Sequence, residues 1–320
     1  LIEQAALRLA QLRQAGVDLP DVDEGPGASG TASGSAPVPA NKAGSAFLAP
    51  NPAARVVPAP EPTSVSRRVE LDLDALAKAG IVTPSAPRST VADQFRVIKR
   101  PLIANAVGKG AATVKHGNLI MVTSAMAGEG KSFTSVNLAM SIAAELDHTV
   151  MLVDADVARP SVLRMLGLPP GPGLLDVLER KAELSDVLLK TNVDKLTVLP
   201  SGNPHEKATE LLASEAMSAL LDDMATRYPD RIIIFDSPPL LLTTESRVLA
   251  SHMGQIVVVV AAGRTQQAAV QQALDTIESC PVRLLVLNKA RMDSKAYGYG
   301  YGYGYGYGYG ASATKEQPGG

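Results

Sequence analysis

Residues 119–146 constrain this chain more than any other stretch. An apolar run, Leu119-Ile120-Met121-Val122, leads into Thr123-Ser124-Ala125-Met126-Ala127-Gly128-Glu129-Gly130-Lys131-Ser132, and helical spacing follows from Phe133 to Leu146. A buried strand, a glycine turn and a helix start, in that order, are the setting a phosphate-binding loop requires. The backbone N–H groups of Ala127, Gly128, Glu129, Gly130, Lys131, Ser132 and Phe133 are placed to wrap phosphate, and the helix N-terminus adds partial positive charge. Lys131 is expected to reach the β- and γ-phosphates of a nucleotide, and the Ser132 hydroxyl to serve Mg2+. Ala125 stands where the first glycine of such loops usually lies.

From His116 onward, apolar runs alternate with helical segments. The strand-like runs are 119–123, 149–153, 195–199, 231–235, 255–260 and 282–287. Near-continuous Val, Ile and Leu is what parallel strands covered on both faces look like. Helical patterns fall between them at 131–146, 160–180 in pieces, 205–226, 244–252 and 265–279. The expectation is an α/β fold, P-loop NTPase-like, with a mostly parallel sheet and helices on both faces. A ligand then belongs at the carboxyl ends of the strands, where the glycine turn already lies.

Two acidic strand ends join that edge. One reads Val150-Met151-Leu152-Val153-Asp154-Ala155-Asp156; the other reads Ile232-Ile233-Ile234-Phe235-Asp236-Ser237-Pro238-Pro239. Three carboxylates thereby converge on one phosphate loop. Mg2+ commonly takes one or two carboxylates together with phosphate oxygens. One acid can serve metal while another accepts a proton from an attacking hydroxyl. A helix cap is the alternative for any single Asp at a strand end.

The flanks differ in character. Leu1, Ala5, Leu9 and Leu12 recur at helical spacing before Gly16, so residues 1–19 form an amphipathic segment, either a docking helix or a frayed one. Residues 20–64 are rich in Pro, Ala, Gly and Ser without periodicity and read as a disordered linker. Residues 65–115 read as a helical flank, with a short helix from Asp72 to Lys78 closed by Gly80 and a second from Thr90 to Ala106. Pro101 is expected to kink or split the second helix. Asp93, Arg96, Lys99 and Arg100 share one face of it, an oligomerisation surface or a solvated charged face. The nucleotide-binding domain spans 116–295, and Asn288 and Lys289 after its last strand are candidates for the base or ribose. After Ala296, Tyr297, Tyr299, Tyr301, Tyr303, Tyr305, Tyr307 and Tyr309 alternate with glycine, holding seven of the chain's eight tyrosines. That alternation has the period of a strand, but Gly at every second position weakens one, so 296–320 is expected to be a flexible tail.

Composition narrows the partners. A net charge of −2 and a pI near 6.1 give no global reason to bind nucleic acid. Cys280 is the only cysteine, and the four histidines show no metal-ligand spacing. No run approaches the roughly 20 apolar residues of a membrane span, and the first residues do not read as a signal peptide. Work at a membrane would therefore require recruitment by a partner.

The loop TSAMAGEGKS, the strand end VMLVDADVARP and the strand end IIIFDSPPL resemble the three Walker-type motifs of the bacterial tyrosine autokinases, over roughly residues 90–310. The tyrosine-rich tail is similar to their carboxyl-terminal cluster. The tail and the 1–110 region look most like the branch tied to exosortase-type exopolysaccharide clusters, the chain-length-determinant tyrosine kinases. The resemblance implies an enzyme using ATP and Mg2+ to phosphorylate the tail tyrosines, and thereby to influence polysaccharide polymerisation and export. It implies partners too: further copies of itself in a ring, a membrane chain-length-determinant activator, and a phosphotyrosine phosphatase. Carried over by motif, Lys131 and Ser132 match the phosphate loop, Asp154 and Asp156 the second motif, and Asp236 the third. Asp154 is expected nearest the incoming tyrosine hydroxyl, with Ser132, Asp156 and Asp236 serving metal. Asp93-x-x-Arg96-x-x-Lys99 resembles a family Glu-x-x-Arg-x-x-Arg motif that builds rings. The family usually has an Arg two residues after the second acid; here that position is Ala158, and Arg159 follows one later. Two other readings remain open. A partitioning or division-site ATPase of this fold would carry a lysine where Met126 stands, and a non-catalytic adaptor would have little use for three acids.

Overall fold

The computed structural model describes residues 67–84, 89–110, 113–227 and 230–290. In chain order they form β1 (Arg67–Val69), α1 (Leu73–Lys78), α2 (Thr90–Ala106), β2 (Leu119–Ser124), α3 (Lys131–Ala143) and β3 (Thr149–Asp154). Next come α4 (Val162–Met165), α5 (Leu174–Leu178), α6 (Leu184–Val187), β4 (Leu189–Thr191), β5 (Leu196–Leu199), α7 (Ala208–Leu212) and α8 (Glu215–Arg227). The last are β6 (Arg231–Asp236), α9 (Glu245–Ala250), β7 (Gln255–Ala261), α10 (Gln267–Asp275) and β8 (Val282–Asn288). The sequence calls on 1–19, 20–64 and 296–320, including every tail tyrosine, lie outside the described residues.

The strands make one sheet in the order β1-β4-β5-β3-β6-β2-β7-β8, parallel throughout except where β4 meets β5. All six expected strands are present. The sequence did not signal β1 and β4, which are three residues each, too short for a period to register. The 160–180 stretch forms the short helices α4 and α5, and the 205–226 stretch divides into short α7 and the 13-residue α8.

Side chains of the central strands alternate between two cores. Ile120, Val122, Val150, Leu152, Ile232 and Ile234 pack with α2 and α3 on one face. Leu119, Met121, Met151, Val153, Ile233 and Phe235 pack on the other against residues of α5, α8, α9 and α10. Burial on both faces is why these strands read as unbroken apolar runs.

Two capping side chains start the flanking helices. Asp72 accepts from Ala75 N at 2.9 Å and Ser89 from Ala92 N at 3.1 Å, relieving orphan donors at each first turn. The α2 helix runs through Pro101 as one element and is not split there. Pro101 and Val97, whose carbonyl would have accepted the missing N–H, both lie on the solvent side, Val97 being 74% exposed. Gln255 stitches the end of α2 to the sheet: its amide donates to Leu102 O (2.9 Å) and Gly117 O (2.6 Å) and accepts from Asn105.

Lys99 departs from the expectation that it shares a solvent-facing stripe with Asp93 and Arg96. Those two are exposed and paired with each other at 2.5 Å. Lys99 turns inward instead, with its Nζ 2.7 Å from Glu145 Oε1 and donating to Ser141 O at 2.5 Å. A long apolar stem lets the side chain pass over the α3 surface and deliver its charge to the last turn of that helix. The Lys99 hydrogen bond holds the Glu145 carboxyl below its ordinary range, against an opposing effect of burial. Lys99→Ala should destabilise the protein by about 1–3 kcal/mol, the range for leaving buried polar groups unpaired. Because Glu145 is held down, that stability is present at neutral pH and lost as pH falls below the ordinary glutamate range. Thermal melts at pH 7 and pH 3 check it. An equal loss for Arg96→Ala at pH 7 would mean the inward pair holds nothing.

Candidate active site

The glycine turn leaves the carboxyl end of β2 between neighbours β6 and β7, and α3 begins at Lys131. Gly128 and Gly130 take φ of +81° and +102°, left-handed conformations open to glycine at little cost. A Cβ at Gly130 would also lie 2.1 Å from Asn288 Nδ2, so Asn288 would have to give up its present position. The loop is clasped from outside. The Glu129 carboxylate accepts from Met126 N at 2.8 Å and from the Thr265 hydroxyl. Asn288 Nδ2 donates to Glu129 O at 2.9 Å, and Lys289 Nζ to Gly128 O at 2.6 Å. In this structure the polar ends of Asn288 and Lys289, the sequence candidates for the base or ribose side, brace the loop backbone.

The acids meet as expected. β3 and β6 are paired in a register that sets Asp154 opposite Asp236. Lys131 Nζ lies 2.6 Å from Asp156 Oδ2 and 3.9 Å from Asp236 Oδ1. Asp236 also accepts from Ser135 Oγ at 3.1 Å. One oxygen of Asp154 accepts from both Ser161 N and Val162 N at 2.9 Å, and Ser161 Oγ donates to Ser132 Oγ at 2.8 Å. Burial, with Asp236 alongside, pushes the Asp154 carboxyl up to about 7, although those two N–H groups pull it back. Burial likewise raises Asp236, opposed mainly by Lys131.

A cavity of about 520 Å³ opens in front of this cluster, bordered by Gly128, Gly130, Lys131, Ser132, Asp156 and Arg159 among others. Asp156 borders it, whereas Asp154 does not and is buried, so Asp154 is less accessible than the sequence reading supposed. Arg159 reaches the cavity wall although the family position beside it is Ala158.

Among the described residues no three His, Cys, Asp or Glu side chains form a ready metal cage. Two buried carboxylate oxygens, Asp154 Oδ1 and Asp236 Oδ2, have no hydrogen-bond partner. The unpaired Asp236 oxygen, on a carboxylate beside the Ser132 hydroxyl, fits Mg2+, which completes its octahedron with phosphate oxygens and water.

Sequence reasoning missed Ser135, Ser161 and Thr265. Ser135 lies one helical turn beyond Lys131, a spacing that would have put it on the same face. Ser161, preceding an apolar helix, carried a cap signal but uses its hydroxyl on Ser132. Thr265 carried no local signal.

The family model described as ParA: NUBPL iron-transfer P-loop NTPase matches residues 115–287. The chain is 31% identical over 205 residues to the tyrosine-protein kinase YwqD of Bacillus subtilis (strain 168), covering 64% of this chain and 83% of that one. It is 33% identical over 184 residues to the tyrosine-protein kinase ptk of Acinetobacter johnsonii, covering 57% of this chain and 25% of that one. The crystal structure of the VpsO kinase domain matches with a TM-score of 0.55 and 27% identity, over 63% of this chain and 95% of that domain. Iron carriage does not come across from the first description, because cluster ligation needs several thiolates and the sequence holds only Cys280, which is buried.

Proposed function

This chain belongs to the bacterial tyrosine kinase family, and from that premise we propose that it phosphorylates Tyr297–Tyr309 of a neighbouring copy with ATP. The observation that supports the reading most is the clustering of Asp154, Asp156 and Asp236 around Lys131, with Lys131 and Asp156 lining one cavity. The tail supplies acceptors in the same chain. In the proposed step the tyrosine oxygen attacks the γ-phosphorus, the bond from that phosphorus to the β-phosphate bridging oxygen breaks, and ADP leaves. The phenolic proton passes to Asp154, whose ordinary value is raised towards neutrality and whose Oδ1 is unpaired while its Oδ2 is pinned. Lys131 exchanges Asp156 for phosphate oxygens, which frees Asp156. Ser132, Asp156 and Asp236 would hold Mg2+, which when bound neutralises charge on the β- and γ-phosphate oxygens.

The remaining parts of the reading come from the family resemblance. They are assembly into a ring, a membrane chain-length-determinant activator, a phosphatase that resets the tail, and control of exopolysaccharide polymerisation and export. Among the described residues no helix is long and apolar enough to cross a membrane, so the activator would bring the kinase there. Incubating the protein with Mg-ATP and probing for phosphotyrosine tests the activity; a protein that hydrolyses ATP without labelling tyrosine would favour the switch ATPase.

Assembly is tested at Arg96 alone, because Lys99→Glu would set two carboxylates together at Glu145 and unfold the contact. Arg96→Glu should shift the assembled kinase towards monomer and reduce phosphorylation between copies about tenfold, as expected for a lost charge pair. Light scattering showing unchanged mass would return that face to solvent.

A further inference from the structure

β8 closes one end of the sheet, pairing with β7 on its inner side, and among the described residues no strand pairs with its outer side. Its residues alternate. Leu284 and Val286 pack on the core shared with α2 and α3, whereas Arg283, Leu285 and Leu287 point outward, the leucines 56% and 65% exposed. An open edge carrying apolar side chains is a template for another strand, and folded proteins usually cover or charge it.

The sequence holds a segment with the matching period. Eight residues after β8 ends, Tyr297 opens the Tyr-Gly alternation that runs through Gly310. In an extended chain, alternation of period two sets every tyrosine on one face and every glycine on the other. Glycine makes such a strand weak alone, but a preformed edge supplies the hydrogen-bond partners and fixes the register.

We propose that the Tyr297–Gly310 segment of the same chain docks along the outer edge of β8 as an added antiparallel strand, tyrosines over Leu285 and Leu287. An antiparallel run is required because eight residues suffice for a hairpin connection, whereas a parallel crossover needs a dozen or more. The left-handed Lys289, at φ +59°, ends β8 and begins that connection. Tyrosine rings pair well with aliphatic side chains across strands. Each phosphate would bring about −1.5 to −2 charges onto that apolar face, and Arg283 is the one cation among the outward residues of β8. Phosphorylation therefore releases the strand. Docking stands independently of the proposed function; only the release rests on it.

Hydrogen exchange of β8 amides tests docking without nucleotide. The full chain is compared with a form ending at Ala296 and with Leu285→Asp/Leu287→Asp, whose substituted side chains are exposed. Outward amides of β8 should exchange about tenfold more slowly in the full chain, a local opening difference, at every protein concentration. Equal exchange in all three overturns the proposal, and so does protection that grows with concentration, which would mean a second copy. Mg-ATP should then abolish protection in the wild type but not in a variant with all seven tail tyrosines changed to Phe. Protection that persists on a tail shown by mass to be phosphorylated overturns the release. A tail that stays unmodified but protected leaves docking in place and removes the kinase reading.

Discussion

Replacing Lys131 by methionine is expected to abolish tyrosine phosphorylation, with a loss of roughly 1,000-fold, the upper range for removing one preorganised charge stabiliser. Methionine keeps the length and apolar stem while removing the charge. The ammonium sits 2.6 Å from Asp156 and 3.9 Å from Asp236, so it serves two purposes. In the proposed reaction it meets the γ-phosphate charge; without nucleotide it offsets a cluster of three carboxylates. The variant should therefore lose thermal stability at pH 8 and recover it in acid, where the acids take up protons. Phosphopeptide mass spectrometry and a pair of melts check both halves. Near-normal labelling in Lys131→Met would sink the assignment of the phosphate loop.

Asn substitution of Asp154, Asp156 or Asp236 should each lower turnover by at least about 100-fold, the size of a lost acid–base or charge contribution. If Asp154 takes the proton while the other two serve metal, added Mg2+ partly restores Asp156→Asn and Asp236→Asn but not Asp154→Asn; the reverse pattern exchanges the roles. Asp154 carries a second signature in metal-free buffer. Its folded value is raised from 3.8 to about 7, so between those limits the folded state binds more protons than the unfolded one. Stability from this group falls as pH rises through that window. Asp154→Asn removes the titrating charge while an amide oxygen can still accept from Ser161 and Val162. The variant should melt higher than wild type at pH 8, with the gap closing by pH 4. A variant that melts lower at pH 8 would show that the buried charge is not the dominant cost.

The central strands and the phosphate loop were legible because their signals are local. Continuous Val and Ile mark strands buried on both faces, and the spacing of Gly128, Gly130, Lys131 and Ser132 encodes one backbone turn. Asp154, Asp156 and Asp236 could be gathered because strand ends of a parallel sheet share an edge. What stayed hidden depends on tertiary partners. Lys99 reads as one more charge on a helix until Glu145 and Ser141 are brought beneath it. Asn288 looks like a free polar residue at a ligand edge until the loop closes against it. β1 and β4 are strands because they have neighbours, since three residues carry no period of their own.

The clasp around the loop has a consequence for how the protein is made. Glu129 and Gly128 are held by Thr265, Asn288 and Lys289, which lie some 136 to 161 positions later in the chain. A ribosome therefore finishes the strand and helix around the loop long before it delivers the side chains that close it. No nascent chain or proteolytic fragment ending ahead of β8 holds a completed clasp, although it can hold most of the sheet. Completion of the loop and emergence of the tyrosines are thus nearly simultaneous in translation, so the donor loop and acceptor tyrosines of the proposed reaction mature together.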